Sequence, residues 1–318
     1  MAGFVFFGQL MLGASAATAS TGCGPSVGRH VRVTTADALQ KALNRAQPGD
    51  VIQLSAGSYL GHFTLAHGGI AESPIVVCGS GAVLDGGSMA SGYTLHLVGA
   101  PFVVIQGITI EHGQKAVMVD TSPDVTLRGL TVGWTGYEGV VFRHLSSAGV
   151  IRDSTIANTG LVQPEFGEGV YIGSAVNHWT AGLPDQTDRV SVIDNRFGPG
   201  ITAEAVDIKE GSSGGTVDGN TFDGSGMTAA LSWVDVKGNG WNITGNRGTT
   251  SLRDGFSDNA AVLGWGNGNV FTRNHADVRG PGYGFRVGAN TVGVKIATSN
   301  VVMNAASGAA NITESNAP

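Results

Sequence analysis

Two short stretches of the chain carry the same charged pattern. Asp207 and Lys209 alternate with apolar residues in EAVDIK, and Asp235 and Lys237 do the same in SWVDVK, 28 positions further on. Because successive side chains of a strand point to opposite faces, each Asp lies on the same face as its Lys. If the two stretches are neighbouring strands, like charges face each other across about 4.8 Å. A row of carboxylates beside a row of ammonium groups can hold a cation and an anionic ligand; a solvated, decorative face is the alternative.

Similar strands precede this pair. KAVMVD, EGVVFR and EGVYIG share the alternation of EAVDIK and SWVDVK, with an apolar residue at every second position. The apolar positions are predicted to face the core and the positions between them to face outward. Arg143 and Tyr171 are then outward, as are Lys209 and Lys237, and we expect replacement of either lysine to change stability little. Glu138, Glu168 and Glu204 begin three of the strands, at a bend that leaves their direction open.

A repeat runs through most of the chain. Seven segments align at steps of 22 to 28 residues, apart from one step of 41: VVIQGITI, VTLRGLTV, GVIRDSTI, VSVIDNRF, GTVDGNTF, WNITGNRG and NVFTRNHA. One coil of three short strands and three bends needs a period of this size, and the long step predicts an inserted loop at about 174–189. We therefore predict an all-β fold, a right-handed parallel β-helix, since right-handed crossovers between parallel strands are strongly favoured.

One column of this alignment is rich in asparagine. These residues fall at a bend, where a side-chain amide can bond to its equivalent in the next coil and tolerate a left-handed backbone. Their role is therefore predicted to be structural. They are Asn195, Asn220, Asn246 and Asn274.

The N-terminal part differs from the repeat. Residues 1–19 contain an apolar stretch followed by small residues, which is typical of a secretory signal, and the stretch is too short to span a bilayer. Apolar residues at helical spacing between Ala38 and Ala46 predict a short capping helix in an N-terminal cap at about 30–50. Residues 20–318 are predicted to form a single domain.

Composition limits the class of protein. The 318 residues include 51 glycines, 13% are charged, and the net charge is −6 without a run of Lys or Arg. A nucleic-acid partner is therefore not expected. We expect a secreted monomer without stable membrane insertion. The two cysteines, Cys23 and Cys78, could form one disulfide in an exported protein, and two free thiols are the alternative.

The region of about residues 50–310 resembles the right-handed parallel β-helix proteins of the pectate-lyase-like superfamily. EAVDIKEGSSGGTVDGNTF is similar to the strand of alginate lyases and chondroitinase B-type lyases that carries a calcium-binding Glu and, five residues later, the catalytic Lys. The resemblance implies Glu204 as a metal ligand and Lys209 as the general base. Where those lyases carry a second acidic residue and an Arg, this chain has Thr202 and Lys237. DGFSDNAAVLGWGNGNVFTRNHADVRGPGYGF also resembles secreted, uncharacterised β-helix repeat proteins.

The resemblance implies cleavage of an acidic polysaccharide by β-elimination. A base removes the C5 proton of a uronic acid, the glycosidic oxygen leaves from C4, and a cation that neutralises the neighbouring carboxylate makes this proton more acidic. We expect Lys209 to carry the catalysis with support from Lys237, and Ca²⁺ to bind at Glu168, Glu204 and Asp207. A non-catalytic carbohydrate-binding or surface-adhesion β-helix is one alternative. A glycoside hydrolase that uses two carboxylates of the Glu138, Glu168 and Glu204 column is another.

Aromatic residues cluster around the same strands and the inserted loop. Rigid aromatic faces suit sugar rings, and long loops on a solenoid often carry function. The wider aromatic set comprises Trp134, Tyr137, Trp241, Trp265 and Tyr283. The side chains predicted to bind substrate are Arg143, Tyr171, His178, Trp179, Trp233 and Asp235.

Overall fold

Each repeat of the sequence forms one coil of three short strands. In the computed structural model, which describes Cys23 and residues 27–315, each strand pairs in parallel with its equivalents in the neighbouring coils. The strands stack into three sheets around one continuous apolar core. The predicted all-β parallel β-helix is confirmed. The predicted signal, residues 1–19, lies outside the described residues.

The three sheets are called sheets 1, 2 and 3. Sheet 1 contains His30–Val33, Val51–Leu54, Ile75–Cys78, Val103–Gln106, Thr126–Arg128, Val150–Arg152, Ser191–Ile193, Thr216–Asp218, Asn242–Thr244, Val270–Thr272 and Lys295–Ile296. Sheet 2 contains Phe63–Leu65, Tyr93–Val98, Lys115–Asp120, Val140–Arg143, Val170–Ile172, Val206–Ile208, Val234–Val236, Phe256–Asp258, Tyr283–Val287 and Gly308–Ala310. Sheet 3 contains Gly57–Leu60, Ala82–Asp85, Thr109–Glu111, Thr131–Gly133, Thr155–Ala157, Arg196–Phe197, Thr221–Asp223, Arg247–Thr249, His275–Gly280 and Val301–Ala305.

Sheet 2 shows how the alternating pattern builds the core. Val170, Val206, Val234 and Phe256 pair in register on four successive strands, and all four side chains are buried in the core. Burying each apolar side chain of this size contributes about 1.5–3 kcal/mol to folding. The residues between them point to the outer face of the sheet, which leaves that face for a functional site.

The asparagine column forms a buried ladder. The backbone N–H of Asn195 donates to Oδ1 of Asn220 at 2.9 Å, and the side chain of Asn195 donates to the same oxygen at 3.0 Å. Asn220, Asn246 and Asn274 repeat this pair of bonds, and the ladder ends at Asn300. The amides therefore satisfy buried backbone groups at the bend, and their predicted structural role is confirmed.

One short α-helix, Ala36–Leu43, precedes the second strand and is the only α-helix of the described residues. Oγ1 of Thr35 accepts a hydrogen bond from the backbone N–H of Ala38 at 3.2 Å, which caps the helix. Leu39 and Leu43 are buried in the core, so the predicted helix packs its apolar side on the first coil. The 3₁₀ turns are Pro164–Phe166, Val176–His178 and Thr180–Gly182.

Cys23 and Cys78 form a disulfide, as the sequence analysis allowed. The bond ties the region before the first strand to the end of the strand Ile75–Cys78. None of the helices in the described part of the chain has the length and apolar character needed to cross a membrane.

Candidate active site

A cleft of about 410 Å³ lies on the outer face of sheet 2. Its floor crosses four neighbouring strands, from Lys115–Asp120 to Val206–Ile208. Tyr171 lies on this floor, whereas Val170 and Ile172 on either side of it are buried in the core. The floor is made by Lys115, Glu138, Val141, Arg143, Glu168, Tyr171 and Lys209.

Two loops form the walls of the cleft. The 3₁₀ turn Pro164–Phe166 places the ring of Phe166 against that of Tyr137, with the ring centroids 5.6 Å apart and nearly parallel. On the other side, the predicted insertion reaches the cleft with Asn177 and His178. Since aromatic faces suit sugar rings, the cleft combines a charged floor with an aromatic wall.

The insertion is held by one buried carboxylate. Asp185 accepts hydrogen bonds from the backbone N–H groups of His144 and Leu145 at 2.8 and 2.9 Å. The hydroxyls of Ser174 and Thr187 donate to it at 2.7 and 2.8 Å. Two of these hydrogen bonds therefore fix the wall to the neighbouring coil, and the other two hold the insertion together.

Asp207 is the centre of a chain of ion pairs. Its Oδ2 contacts Nζ of Lys209, and its Oδ1 lies 2.7 Å from Nζ of Lys237. Nζ of Lys237 also lies 2.6 Å from Oδ2 of Asp235. Burial would raise the pKa of Asp207, but the charges of Lys209 and Lys237 outweigh burial and lower this pKa. A shared ammonium group therefore separates the two carboxylates, which pair in register on adjacent strands.

These ion pairs correct one expectation from the sequence. The side chain of Asp207 is only 2% exposed and that of Lys209 only 15%, so the expected solvent-exposed double row is wrong. The residues do lie on the outer face of sheet 2. However, long lysine stems fold over the shorter carboxylates, and neighbouring coils cover them on both sides.

The two lysines occupy different places. Lys209 lines the cleft, and its Nζ lies 4.8 Å from the ring centroid of Tyr171. Lys237 is not part of the cleft lining and stands on the next coil, against the two aspartates. Burial would lower the pKa of Lys237, but the charges of Asp207 and Asp235 raise it well above its usual value. Lys237 is therefore a fixed positive charge, and Lys209 is the lysine that a ligand in the cleft can contact.

The three predicted metal ligands lie together. One carboxylate oxygen from each of Glu168, Glu204 and Asp207 lies within 4.8 Å of the others. Burial, followed by the charges of Asp207, Glu138 and Glu204, raises the pKa of Glu168 well above its usual value. Burial and the charge of Asp207 raise the pKa of Glu204 to about 7. Among the described residues, Oε2 of Glu168 has no hydrogen-bond partner. The ionisation of the two glutamates is therefore suppressed, and a bound cation would relieve this.

Tyr171 lies between the acidic cluster and the open cleft. It pairs in register with Val141 on one side and with Asp207 on the other. Burial is the main reason that its pKa is raised, and the charges of Asp207 and Glu168 add to it. The phenol is therefore protonated at neutral pH and can donate a proton.

The other predicted ligands fall into two groups. Arg143 and His178 line the cleft, as predicted. Trp179 is outside the lining, because its indole N–H donates to the carbonyl of Ser174 at 2.9 Å. Asp235 is also outside it, and its Oδ1 accepts a hydrogen bond from the side chain of Asn259 at 2.6 Å.

The prediction that Trp233 binds substrate is wrong. Trp233 is fully buried in the core, where its ring packs against Phe222 and Phe256 with centroids 6.4 and 5.7 Å apart. The residue precedes its strand, so strand alternation does not set its direction. Gly248 explains how the ring fits, because a Cβ at this position would lie 2.4 Å from it. The sequence did carry a signal of this. Gly248 occupies a core position of the repeat, where Phe222 stands in the preceding coil, and so leaves space for a large side chain that points inward.

Sequence reasoning missed several cleft residues, among them Lys115, His144 and Phe166. Nζ of Lys115 lies 2.5 and 2.6 Å from the two oxygens of Glu138, which gives the cleft a second largely buried ion pair. Because Val117 pairs with Val140, Lys115 stands in the column of the three glutamates, and aligning KAVMVD with EGVVFR could have found it. Phe166 lies in a loop outside the repeat, where the sequence carried no such signal.

Comparisons with known proteins identify the family. The chain is 35% identical to the alginate lyase from Paenibacillus sp. str. FPU-7, with a TM-score of 0.83 over 90% of this chain and 99% of that one. The pectate lyase Pel9A shares the fold, with 14% identity and a TM-score of 0.65 over 87% of this chain and 80% of that one. No protein-family model and no curated protein matched the sequence. The chain belongs to the family of the Paenibacillus enzyme and is a polysaccharide lyase with the pectate-lyase-like β-helix fold.

Proposed function

We propose that the protein is a secreted, monomeric lyase that cleaves alginate, a polymer of uronic acids, by β-elimination. The observation that carries this proposal is the pairing of Lys209 with the neutral phenol of Tyr171 on the cleft floor, with Nζ 4.8 Å from the ring centroid. Elimination needs a base for the C5 proton and an acid for the leaving oxygen, and these two side chains supply both. Alginate is proposed because the relative with 35% identity is an alginate lyase.

The chemical step uses the two side chains in opposite directions. Lys209 must first release to solvent the proton that it holds in the ion pair with Asp207. As the neutral amine it then accepts the C5 proton, and the electron pair of the C–H bond forms the C4–C5 double bond. The C4–O bond breaks, and Tyr171 donates its proton to the departing oxygen. Asp207 stabilises the ammonium ion that forms on Lys209, since the two groups are already in contact.

The acidic cluster fits a divalent cation. Glu168 and Glu204 would hold Ca²⁺ with Asp207 beside them, because Ca²⁺ prefers carboxylate oxygens and Oε2 of Glu168 lacks a partner among the described residues. Both oxygens of Asp207 are engaged by lysines, so the two glutamates are the main ligands. When bound, the ion supplies positive charge that neutralises the substrate carboxylate beside C5.

Secretion is supported by two features. The disulfide between Cys23 and Cys78 suits an oxidising compartment, and residues 1–19 have the pattern of a signal. A bacterium that expresses the full chain should therefore release the protein, without its signal, into the culture medium.

A substrate comparison tests the lyase proposal. We expect the protein to generate ultraviolet-absorbing unsaturated ends from alginate, and to do so much faster than from pectate, glucuronan or chondroitin. Release of reducing sugar without this absorbance would contradict β-elimination. Binding without either product would favour the carbohydrate-binding alternative, and elimination confined to another polymer would overturn the assignment of alginate alone.

The metal proposal predicts a pH-dependent effect of Ca²⁺ on stability. The pKa of Glu204 is raised from 4.5 to about 7 in the fold, so the folded state binds more protons and stability falls as pH rises between these values. Ca²⁺ needs the ionised carboxylates. It should therefore raise the melting temperature at pH 8 and have little effect at pH 5. Calcium at about 100 times its Kd would stabilise the fold by about 2.7 kcal/mol.

Two glutamate variants test whether the acidic cluster is the calcium site. Glu168→Gln and Glu204→Gln should each reduce the calcium-dependent rise in melting temperature at pH 8. Glu165→Gln is the matched control, because Glu165 is exposed on the cleft wall and lies outside the cluster. Equal melting curves with calcium and with chelator at both pH values would remove the ion from the mechanism.

A further inference from the structure

A second group of charged side chains lies at the far end of the cleft floor. The carboxylate of Asp120 binds Arg143 side-on, with Nε 2.6 Å from Oδ1 and Nη2 3.3 Å from Oδ2. Nε2 of His96 lies 2.9 Å from Oδ2, and Nδ1 of His144 lies 3.3 Å from Oδ1. Asp120 is thus surrounded by three nitrogen-bearing side chains from neighbouring strands.

This group has a buried side and an open side. The side chain of Asp120 is 10% exposed, whereas those of Arg143 and His144 are 29% and 43% exposed and line the cleft. The contact with Asp120 uses Nε and Nη2 of the guanidinium, and the side chain of Tyr93 also interacts with Arg143. Burial would raise the pKa of Asp120, but hydrogen bonds from His96 and Arg143 lower it to about 2. Asp120 is therefore a permanent anchor for Arg143.

The spacing along the coil axis places this group beside the reacting centre. By continuation of the register, Arg143, Gly173 and Lys209 stand on three successive coils, which puts Arg143 about 10 Å from Lys209 at about 4.8 Å per coil. Gly173 has a φ of 85° and no side chain, so the floor between the two cations stays open. A polysaccharide running along the coil axis would pass over both.

We propose that Arg143 and His144, held in place by Asp120, form a second anion-binding subsite that takes the carboxylate of another uronic acid in the same polymer chain. The inference rests on the proposed function and extends it from one bound sugar to a longer stretch of polyuronate. Arginine suits this role because its planar donors match a carboxylate, and its charge does not depend on pH. Asp120 is a positioning residue, since it acts on the substrate only through Arg143 and His144.

Substitution of Arg143 tests the subsite on the polymer that the wild-type protein cleaves. Loss of a charge-assisted hydrogen bond should raise KM of Arg143→Gln about 10- to 100-fold with kcat little changed, since the subsite is remote from the bond that breaks. Oligouronates too short to reach Arg143 should be cleaved equally by both proteins. Added salt should raise KM of the wild type more than KM of the variant.

Two further variants make the test decisive. Asp120→Asn should raise KM in the same way as Arg143→Gln. Arg143→Lys should have an affinity between those of Arg143→Gln and the wild type, because Lys keeps the charge but lacks the side-on geometry. Arg279→Gln is the matched control, since Arg279 pairs with Asp277 at 2.7 Å outside the cleft and should leave KM unchanged. If Asp120→Asn fails to fold, the two Arg143 variants still test whether the subsite exists. An unchanged KM and unchanged chain-length dependence for Arg143→Gln would overturn the subsite, whereas inactivity of the wild type on every polyuronate would overturn the proposed function instead.

Discussion

Replacing Lys209 by Met should lower kcat by roughly 10²–10⁴-fold, the range that a positioned general base contributes. The lysine lines the cleft and contacts Asp207, whereas Lys237 is outside the cleft lining and is held by Asp207 and Asp235. Methionine keeps an unbranched side chain of similar length without the ammonium group, so the loss should fall on kcat rather than on KM. Initial rates of unsaturated product formation measure both constants.

The stability of the Lys209→Met variant must be measured beside its rate. Removal of Lys209 leaves Asp207 with the single counter-charge of Lys237, so a moderate loss of stability, of about 1–3 kcal/mol, is expected. Lys295→Met is the matched control, because Lys295 is exposed on the last strand of sheet 1 and should change neither property. Turnover within a few-fold of the wild type by a folded Lys209→Met protein would remove the lysine from the chemical step.

The Tyr171→Phe variant separates the two proton-transfer roles. It keeps the ring beneath Lys209 and removes only the hydroxyl. A loss of kcat comparable to that of Lys209→Met would support Tyr171 as the acid, whereas a change in KM alone would make it a contact for the sugar.

The repeat made most of the fold predictable. Each coil places one apolar residue of a strand in register with its equivalent, as Val206 and Val234 do, so the core follows from strand alternation alone. The asparagine ladder was predictable for the same reason, because Asn195 and Asn220 occupy equivalent bends. Periodicity therefore located the column of Glu168 and Glu204 and the strand that leads to Lys209.

The parts that periodicity could not give depend on side-chain direction and loops. The long side chain of Lys237 can bend toward either neighbouring coil, and nothing in the pattern SWVDVK shows that Nζ bridges Asp207 and Asp235. Loop residues such as Phe166 and Asp185 have no equivalents in other coils, so their contacts with Tyr137 and Ser174 follow only from the folded structure. The burial of the charges, which sets their ionisation, was unpredictable for these reasons.

Asp207→Ala should destabilise the fold by about 3–5 kcal/mol, because it leaves two largely buried ammonium groups without their shared partner. Chemical denaturation of the variant measures this loss. Asp37→Ala is the matched control: Asp37 forms an exposed pair with Lys41 at 2.7 Å, and such pairs contribute at most about 1 kcal/mol. Equal losses for the two variants would show that the buried ion pairs matter no more than a surface pair.

A double variant distinguishes the structural from the functional role of Asp207. In Asp207→Leu with Lys237→Met, an apolar pair of similar volume replaces one buried ion pair, and such replacements are often neutral or stabilising. We expect this protein to recover only part of the stability lost by Asp207→Ala, because Lys209 and Asp235 are left without their charged partners. It should remain nearly inactive, because Lys209 then lacks the carboxylate that stabilises its ammonium form. Recovery of stability and turnover together would show that Asp207 serves folding alone. Recovery of stability without turnover would mean that the same buried carboxylate holds the coils together and supports the base.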